Sequence, residues 1–346
     1  MNNMVIEQQA IMMVGIPGSG KSTIANELLE KWDLNNCKIF SSDEYRKIVC
    51  GDENDQTQNE KVFKILYNDM REYLQKGYDV IFDATNTTLK SRKKFIDFIR
   101  KNFSKQIHIT AYVVNTPAHI CIDRDRNRER NVGIDVIGKF VKSFQMPHYF
   151  EGIDEIYIHD LPNYNYINSH LNISDLNKLF EEMDSFSQFN PHHKFTVGEH
   201  CLNMFNYFKD KGDEVRAAAG RFHDVGKMLT QHFDDYGIAH YYSHDSVGAY
   251  YMLTHLDYFL EIDKDLLIEI LFYINWHMKA HNDINATEKT KKKYTELFGQ
   301  ERYNKLMEFA EADQITSGCS HKYSEIKEYI NNLKETGDKY DGRIFE

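Results

Sequence analysis

The chain has 346 residues, of which 41% are hydrophobic and 27% are charged, and its formal net charge is −11. This length allows two domains, and the composition is ordinary for a soluble globular protein. The acidic balance argues against a protein that coats nucleic acid by bulk electrostatics, but it is compatible with an enzyme that grips a few terminal nucleotides through a local basic cluster.

The sequence contains no run of 18 uncharged apolar residues, and its first residues lack the basic and apolar segments of a secretory signal. Five cysteines are scattered along the chain without a CxxC pair. This usage fits a reducing compartment and argues against a disulfide framework or a thiolate zinc site. We therefore expect a cytoplasmic protein without a membrane partner.

Apolar runs alternate with helical patterns in the first half of the chain. The patterns predict strands at 10–16, 37–41, 78–83, 108–114 and 155–158, and helices at 21–32, 59–76, 89–103, 117–130 and 135–145. Such alternation predicts an α/β domain with a parallel doubly wound sheet over residues 1–165, with ligands at the carboxyl ends of the strands. After a linker at 161–174, helical periodicity dominates, which predicts an all-α domain at 175–346.

Residues 15–23 form the motif GIPGSGKST between a predicted strand and a predicted helix, which is the context of a P-loop. Glycines let backbone N–H groups face the phosphates of a nucleotide, and the helix N-terminus adds partial positive charge. We expect Lys21 to reach the β- and γ-phosphates and Ser22 to hold Mg²⁺. The predicted cofactors are ATP and Mg²⁺, and the residues predicted to bind them are Gly15, Gly18, Ser19, Gly20, Lys21, Ser22 and Thr23.

Polar residues follow the second and third predicted strands, at the edge of the sheet where a phosphate acceptor is expected. Asp43 can accept the proton of an attacking hydroxyl, and Arg46, one helical turn later, can hold an acceptor phosphate in the same pocket. Asp83 and Asn86 follow the third strand and can orient the acceptor or hold water near Mg²⁺. Each pattern is also typical of a helix N-cap, so a purely local role stays open.

An arginine-rich segment, CIDRDRNRER, occupies residues 121–130. Arg124 and Arg128 are four residues apart and would share one face of a helix, which suits a lid that stabilises negative charge on the transferred phosphoryl group. A helix of mixed charge is also typical of a solvated surface, and that alternative stays open.

Taken in order, the motifs GxPGSGKST, SxDxxR, DATN and CxxR with its trailing arginines resemble the kinase domain of polynucleotide 5′-kinases over residues 8–160. Arg126 and Arg130 are further lid candidates on this basis. The resemblance implies Lys21 and Ser22 for phosphate and Mg²⁺, Asp43 as general base, Arg46 on the acceptor nucleotide phosphate, and Arg124 and Arg128 on the ATP phosphates.

Histidine and aspartate residues recur through the second half at separations where helices can bring them together. The adjacent pair His223-Asp224 stands ahead of Lys227, and the other members of the set are His200, His244, His277 and Asp313. A mixed nitrogen and oxygen set suits Mn, Fe, Ni, Co or Zn rather than Ca²⁺, and such a metal lowers the pKa of bound water. Four other histidines are interpreted as packing or surface residues, namely His232, His240, His255 and His281.

This second pattern resembles the HD-domain phosphohydrolases over residues 185–320. The resemblance implies His200, His223, Asp224 and Asp313 as the core metal ligands, and His244 and His277 as the extra ligands of two-metal members. Lys227 either contacts substrate phosphate or is solvated, and both alternatives stay open. Residues 190–200 also resemble the entry to HD domains attached to CCA-adding enzymes, some of which act on RNA 3′ ends.

Together these patterns predict a bifunctional nucleic-acid end-healing enzyme, with RNA ends favoured over DNA ends as the partner. The first domain would phosphorylate a 5′-hydroxyl, and the second would remove a 2′,3′-cyclic, 3′- or 2′-phosphate for a separate ligase. The main alternative is a nucleoside or metabolite kinase fused to an HD nucleotidase. A nucleotide-regulated signalling protein and an HD domain that serves only as a scaffold are further alternatives.

Overall fold

The computed structural model describes residues 8–31, 36–103, 107–159, 173–256, 263–283, 286–319, 323–340 and 342. The chain divides into two compact units, unit 1 (Met1–Val141 and Pro147–Leu161) and unit 2 (Lys142–Met146 and Pro162–Glu346). The short segment Lys142–Met146 clusters with the second unit, a feature that the sequence did not predict. The predicted linker lies outside the described residues as far as residue 172.

The first part of the chain alternates strands and helices as the sequence predicts. The elements are β1 (Gln8–Val14), α1 (Lys21–Lys31), β2 (Lys38–Ser41), α2 (Ser42–Cys50), α3 (Asn59–Gln75), β3 (Val80–Asp83), α4 (Leu89–Phe103), β4 (Ile107–Val113), α5 (Ala118–Arg126), α6 (Ile134–Lys142), a 3-10 helix (Tyr149–Glu151) and β5 (Glu155–Ile158).

The five strands form one parallel sheet in the order β2-β3-β1-β4-β5. β1 is central, with Ala10 paired to Val80 of β3 and to Ile109 of β4. Because crossover helices cover both faces of such a sheet, its central strands are apolar on both sides, and residues 10–14 are all fully buried. The prediction of a parallel α/β domain is confirmed, and its strand order brings the loops after β1, β2 and β3 to one edge of the sheet.

The described residues of the second part are mostly helical. The elements are α7 (Ile173–Ser185), α8 (Val197–Lys209), α9 (Glu214–Phe222), α10 (Lys227–Thr230), β6 (His232–Phe233), β7 (Ala239–His240), α11 (His244–Leu253), α12 (Lys264–Asp283), α13 (Glu288–Phe298), α14 (Gln300–Thr316) and α15 (Tyr323–Thr336).

The antiparallel pair β6–β7 is an addition to the predicted helices. Aromatic side chains fill the core of unit 2, where the Phe208 ring of α8 stacks on Phe309 of α14 and Tyr273 of α12 packs against the same ring. These contacts hold α8, α12 and α14 side by side. Among the described residues, no helix is both long enough and apolar enough to span a bilayer.

Candidate functional sites

The loop between β1 and α1 has the backbone shape of a phosphate-binding loop. Gly18 and Gly20 adopt φ of 82° and 97°, a region that glycine enters without steric cost. A Cβ at Gly18 would lie 2.4 Å from the carbonyl oxygen of Cys121, so no larger residue fits there. The sequence motif therefore folds into the loop that it predicts.

Lys21 and Ser22 open helix α1 and face two different partners. The buried Lys21 ammonium donates to the Ile16 carbonyl oxygen at 2.9 Å. Burial lowers the pKa of Lys21, and the nearby Asp83 carboxylate opposes this effect. The Ser22 hydroxyl donates to Asp83 Oδ2 at 2.6 Å. A hydroxyl beside a carboxylate at a phosphate loop is an oxygen set that fits Mg²⁺.

Asp43 and Arg46 lie in the first turns of α2, which Ser41 caps by accepting from the Glu44 N–H. The Arg46 guanidinium donates to Asp43 Oδ1 at 2.6 Å, and its side chain is only 6% exposed. Arg130 donates to the other oxygen, Asp43 Oδ2, at 3.0 Å. Both carboxylate oxygens are therefore held in place, while half of the Asp43 side chain stays open to solvent.

Arg130 lies beyond α5 and contacts Asp43 and its surroundings. Besides Asp43, it contacts the Glu53 carboxylate at 3.2 Å and the Asn54 side chain at 2.8 Å. Sequence analysis identified Arg130 only as a further lid candidate. Its contact with Asp43 spans 87 positions in the chain, a distance at which no local pattern carries a signal.

Asn86 has a backbone role in this structure. It adopts φ of 47°, is almost fully buried, and donates its side-chain amide to the Met13 carbonyl oxygen at 2.8 Å. The neighbouring Thr85 carbonyl accepts from Gly15 N–H at 2.9 Å. The segment after β3 thus braces the end of β1, while the predicted part of Asn86 in orienting an acceptor stays a prediction.

The predicted helix at 117–130 is too long. Helix α5 ends at Arg126 because the buried Asp125 carboxylate accepts from the backbone N–H groups of Val132 and Gly133, which turns the chain. Arg124 donates to the Ser19 carbonyl oxygen of the loop at 3.1 Å. Arg128 lies beyond the helix, so the two arginines do not share a helix face. Its charge still acts on Lys21, whose pKa it helps to lower.

Six side chains of unit 2 converge from five places in the fold. A capping box between Thr196 and Glu199 fixes the start of α8 and so places His200 in its first turn. The His223-Asp224 pair follows α9, and a Cβ at Gly226 would lie 2.1 Å from the His244 carbonyl oxygen. Glycine is therefore required for the pair to approach α11. The contributed residues are His200 of α8, His223 and Asp224 after α9, His244 of α11, His277 of α12 and Asp313 of α14.

These six residues form two groups of possible metal ligands joined at Asp224. One group is His200, His223 and Asp313, and the other is Asp224, His244 and His277. Asp224 Oδ2 lies 3.6 Å from His200 Nε2 and 3.4 Å from His223 Nε2. Asp224 Oδ1 lies 3.1 Å from His244 Nε2 and 3.8 Å from His277 Nε2. One carboxylate thus offers an oxygen to each group.

The second ring nitrogen of each histidine is occupied by the backbone. The Nδ1 atoms of His223, His244 and His277 lie 2.8–2.9 Å from carbonyl oxygens three residues earlier in the chain, and His200 Nδ1 lies 3.3 Å from the Thr316 oxygen. In the neutral tautomer with the proton on Nδ1, each of these contacts is a hydrogen bond to a carbonyl oxygen, and Nε2 is the lone-pair donor that a metal needs.

Two further features of the cluster fit a cation bound between the imidazole rings. His223 Nε2 is buried and makes no hydrogen bond within the described residues. The Nε2 atoms of His244 and His277 approach to 3.0 Å, so two lone pairs point at one place. This donor set suits a borderline transition metal.

Charge within the cluster keeps both carboxylates ionised. Burial would lower the pKa of His223, but Asp224, Cys201 and Asp313 outweigh it and raise that pKa well above its usual value. Burial alone would raise the pKa of Asp224, but Lys227, His223 and His244 outweigh it and hold that pKa well below its usual value. Burial likewise opposes ionisation of Asp313, and the nearby His281 and His223 nevertheless lower its pKa. Burial lowers the pKa of His277. Two carboxylates and a neutral imidazole therefore meet at neutral pH.

Lys227 is buried against the cluster, so the alternative of a solvated lysine does not describe it. Its ammonium lies 2.6 Å from Asp224 Oδ2 and donates to Gln188 Oε1 at 2.8 Å. His193 Nε2 lies 3.3 Å from the same ammonium. Gln188 and His193 were not predicted, because their contacts with Lys227 span 39 and 34 positions.

Of the four histidines interpreted as packing or surface residues, three lie away from the cluster and one contacts it. His232 is exposed in β6, His240 bonds Asp234 at 3.1 Å, and His255 lies 2.7 Å from the Tyr251 carbonyl oxygen. His281 is different, because its Nε2 lies 2.5 Å from Asp313 Oδ2 and so touches a candidate ligand. The available signal was its position one helical turn after His277.

Comparison with known proteins bears on the first of the two units. Residues 11–147 match a family model described as "AAA domain", which spans less than half of the chain. A Schizosaccharomyces pombe protein described as "Probable 6-phosphofructo-2-kinase" is 33% identical over 111 residues, which are 28% of this chain and 17% of that protein.

Human "6-phosphofructo-2-kinase/fructose-2,6-bisphosphatase 3" is 31% identical over 114 residues, which are 29% of this chain and 22% of that protein. The chain thus spans about a fifth of the length of these curated relatives. Among solved structures, a chain of the "Pnkp1/Rnl/Hen1 RNA repair complex" matches with a TM-score of 0.36 and 23% identity, over 41% of this chain and 45% of that one. With the loop geometry and the parallel sheet, the sequence matches support a P-loop phosphotransferase of the kinase type in unit 1.

Proposed function

We propose that the chain is a bifunctional enzyme that adds phosphate to one end of an RNA and removes it from the other. Unit 1 would transfer the γ-phosphoryl group of ATP to a 5′-hydroxyl, and unit 2 would hydrolyse a terminal 2′,3′-cyclic, 3′- or 2′-phosphate. The observation that carries the proposal is the presence in one chain of a phosphate loop and a buried two-part histidine–aspartate cluster. The products, a 5′-phosphate and a 3′-hydroxyl, are the pair that a ligase joins.

In the kinase step, the acceptor hydroxyl attacks the γ-phosphorus, its proton passes to the Asp43 carboxylate, and ADP leaves. Asp43 suits this part because both its oxygens are oriented and half of its side chain remains accessible. Mg²⁺ would be held by Ser22 with Asp83 and would offset phosphate charge. Lys21 and Arg124 supply the fixed cations next to the loop.

In the hydrolytic step, the six cluster residues would hold one or two transition-metal ions, which when bound supply water of lowered pKa as the nucleophile. A cyclic phosphate would need two hydrolyses: the first water opens the ring to a 2′- or 3′-monophosphate, and the second releases inorganic phosphate and leaves the hydroxyl. The buried Lys227 lies beside the Asp224 oxygen that faces His200 and His223, so it places a positive charge where substrate phosphate would approach. The burial of the ligands limits access of bulk water, which strengthens these interactions.

RNA is proposed as the acceptor because the motifs of unit 1 resemble polynucleotide 5′-kinases and because Arg46 is held beside Asp43, where it can meet an acceptor phosphate. The matches to 6-phosphofructo-2-kinases favour a second candidate, a kinase of a small phosphorylated metabolite. In both cases the acceptor carries a phosphate group in addition to the hydroxyl that reacts.

One mass-spectrometric assay tests both units at once. A short RNA with a 5′-hydroxyl and a 2′,3′-cyclic phosphate would be incubated with ATP, Mg²⁺ and Mn²⁺, and fructose 6-phosphate would serve as acceptor in a parallel reaction. Lys21→Ala and His244→Ala remove the two activities, while Lys31→Ala and His232→Ala change exposed residues as matched controls.

We expect the RNA to gain phosphate at its 5′ end in every protein except Lys21→Ala, and to lose phosphate at its 3′ end in every protein except His244→Ala. Phosphorylation of the sugar phosphate but not of the RNA would replace the first proposal by the second candidate. An RNA left unchanged at both ends, with the sugar phosphate also unchanged, would contradict both.

A further inference from the structure

We propose that His281 is a positioning residue that holds Asp313 by one carboxylate oxygen, so that the other oxygen serves as a single metal ligand beside His200 and His223. The inference rests on the proposed metal centre of unit 2, and it assigns a part to a residue outside the set of six.

The two oxygens of Asp313 have separate neighbours. Oδ1 lies 2.8 Å from His200 Nε2 and 3.6 Å from His223 Nε2, within the candidate ligand group. Oδ2 lies 2.5 Å from His281 Nε2, on the other side of the carboxylate. A hydrogen bond of this length to a charged oxygen is strong and directional. It therefore fixes the rotation of the carboxylate about its last bond.

His281 also occupies the open side of the cluster. Its side chain is 20% exposed and that of Asp313 is 10% exposed, whereas His200, His223 and His277 are fully buried. A carboxylate at the open side can rotate toward water or turn both oxygens toward a cation unless a neighbour prevents it. His281 is placed to prevent this rotation.

Helix α12 gives the arrangement its rigidity. His277 and His281 are one helical turn apart, so a single helix carries a ligand of one group and the positioning residue of the other. The substitution of His281 should therefore weaken metal binding at the group that contains Asp313 and leave the group of Asp224, His244 and His277 nearly unchanged. Residues that orient metal ligands typically account for about 10- to 100-fold in metal affinity.

The test is equilibrium dialysis of the full chain against Mn²⁺, with bound metal counted by inductively coupled plasma mass spectrometry. The proteins would be the wild type, His281→Ala, His281→Gln and His255→Ala. Glutamine can place an amide N–H near the position of Nε2, so it should restore the hydrogen bond to Asp313. His255 is the matched control because it lies after α11 and contacts a backbone carbonyl outside the cluster.

We expect His281→Ala to lower the affinity for one bound ion by about 10- to 100-fold, His281→Gln to recover most of it, and His255→Ala to match the wild type. An unchanged affinity in His281→Ala would overturn the inference, as would an equal loss of all bound metal in both His281 variants. A wild-type chain that binds no metal would instead refute the proposed hydrolase centre, so the two failures are distinguishable.

Discussion

Arg92 and Glu151 form an ion pair in the interior of unit 1, and breaking it should strongly destabilise this unit. Both side chains are almost fully buried, at 0% and 3% exposure. Two parallel bonds of 2.7 Å join Nε to Oε2 and Nη2 to Oε1, and Nη1 donates to the Asn86 carbonyl oxygen at 3.1 Å. Arg92→Met keeps much of the length of the side chain but leaves the Glu151 carboxylate buried without its cation, which costs about 3–5 kcal/mol.

Lys93→Met is the matched control, because Lys93 on the same helix pairs with Asp97 at 63% and 39% exposure, where such pairs contribute about 0–1 kcal/mol. A double variant, Arg92→Met with Glu151→Leu, should regain much of the loss, since it removes the unpaired charge.

Native-state hydrogen exchange of peptides from α4 measures the effect. A cost of about 3–5 kcal/mol corresponds to roughly a 10²- to 10⁴-fold loss of protection. Protection in Arg92→Met within about threefold of that in Lys93→Met would refute the argument that the buried pair braces this unit. A double variant no better protected than Arg92→Met would show that lost packing, and not the unpaired charge, dominates.

Three further predictions concern single side chains of unit 1. Arg130→Ala should lower kcat of phosphoryl transfer about tenfold and leave KM for ATP unchanged, because Arg130 orients Asp43. Steady-state kinetics, with Arg126→Ala as the control, measures both constants. A rise in the KM for ATP would contradict the prediction. Gly18→Ala should weaken binding of a fluorescent ATP analogue more than tenfold, because the added Cβ would clash with the Cys121 backbone. Gly133 also has a positive φ, of 86°, but a Cβ there would meet no atom, so Gly133→Ala should bind the analogue normally. Equal affinities of the two variants would exclude the clash. Burial, together with the nearby Asp79, raises the pKa of Cys37 from 9.0 to about 12. At pH 8, Cys37 of the native chain should therefore react with iodoacetamide about 10³-fold more slowly than Cys37 of the urea-unfolded chain. Equal labelling rates would contradict this.

Local patterns predicted the elements of unit 1 well where the signal lies within a few residues. The strand at 155–158 and the helix at 89–103 have the observed bounds, and the phosphate loop follows from its glycines alone. The order of the strands in the sheet could not be predicted, because the alternation of strands and helices does not determine which strands pair. The overlong helix at 117–130 has a specific cause, since Asp125 ends it by bonding to Val132 and Gly133, beyond the helical spacing that was counted.

In unit 2 the sequence indicated the six candidate ligands but not the residues that hold them. His200 and Asp313 are in contact although they lie 113 positions apart in the chain. This contact was expected only from the resemblance to HD-domain phosphohydrolases, because no local spacing predicts it. The only signal for His281 was its position one helical turn after His277. Gln188, which accepts a hydrogen bond from Lys227, is a loop glutamine that no sequence pattern singles out. Residues that orient ligands are chosen by the packed fold, so a one-dimensional pattern underestimates their number.

The two sites differ in ligand chemistry, and this difference predicts that their activities can be separated by a chelator. Near the phosphate loop the candidate metal ligands are the Ser22 hydroxyl and the Asp83 carboxylate, which suit Mg²⁺. The cluster of unit 2 offers four imidazole nitrogens, which favour later transition metals over Mg²⁺. Dialysis against 1,10-phenanthroline, followed by assay with ATP and excess Mg²⁺, should therefore abolish release of phosphate from the RNA 3′ end while leaving phosphorylation of the 5′ end intact. Added Mn²⁺ should restore the lost activity in the wild type but not in His244→Ala. Equal loss of both activities after chelation would contradict the assignment of one hard and one borderline metal site to the two units.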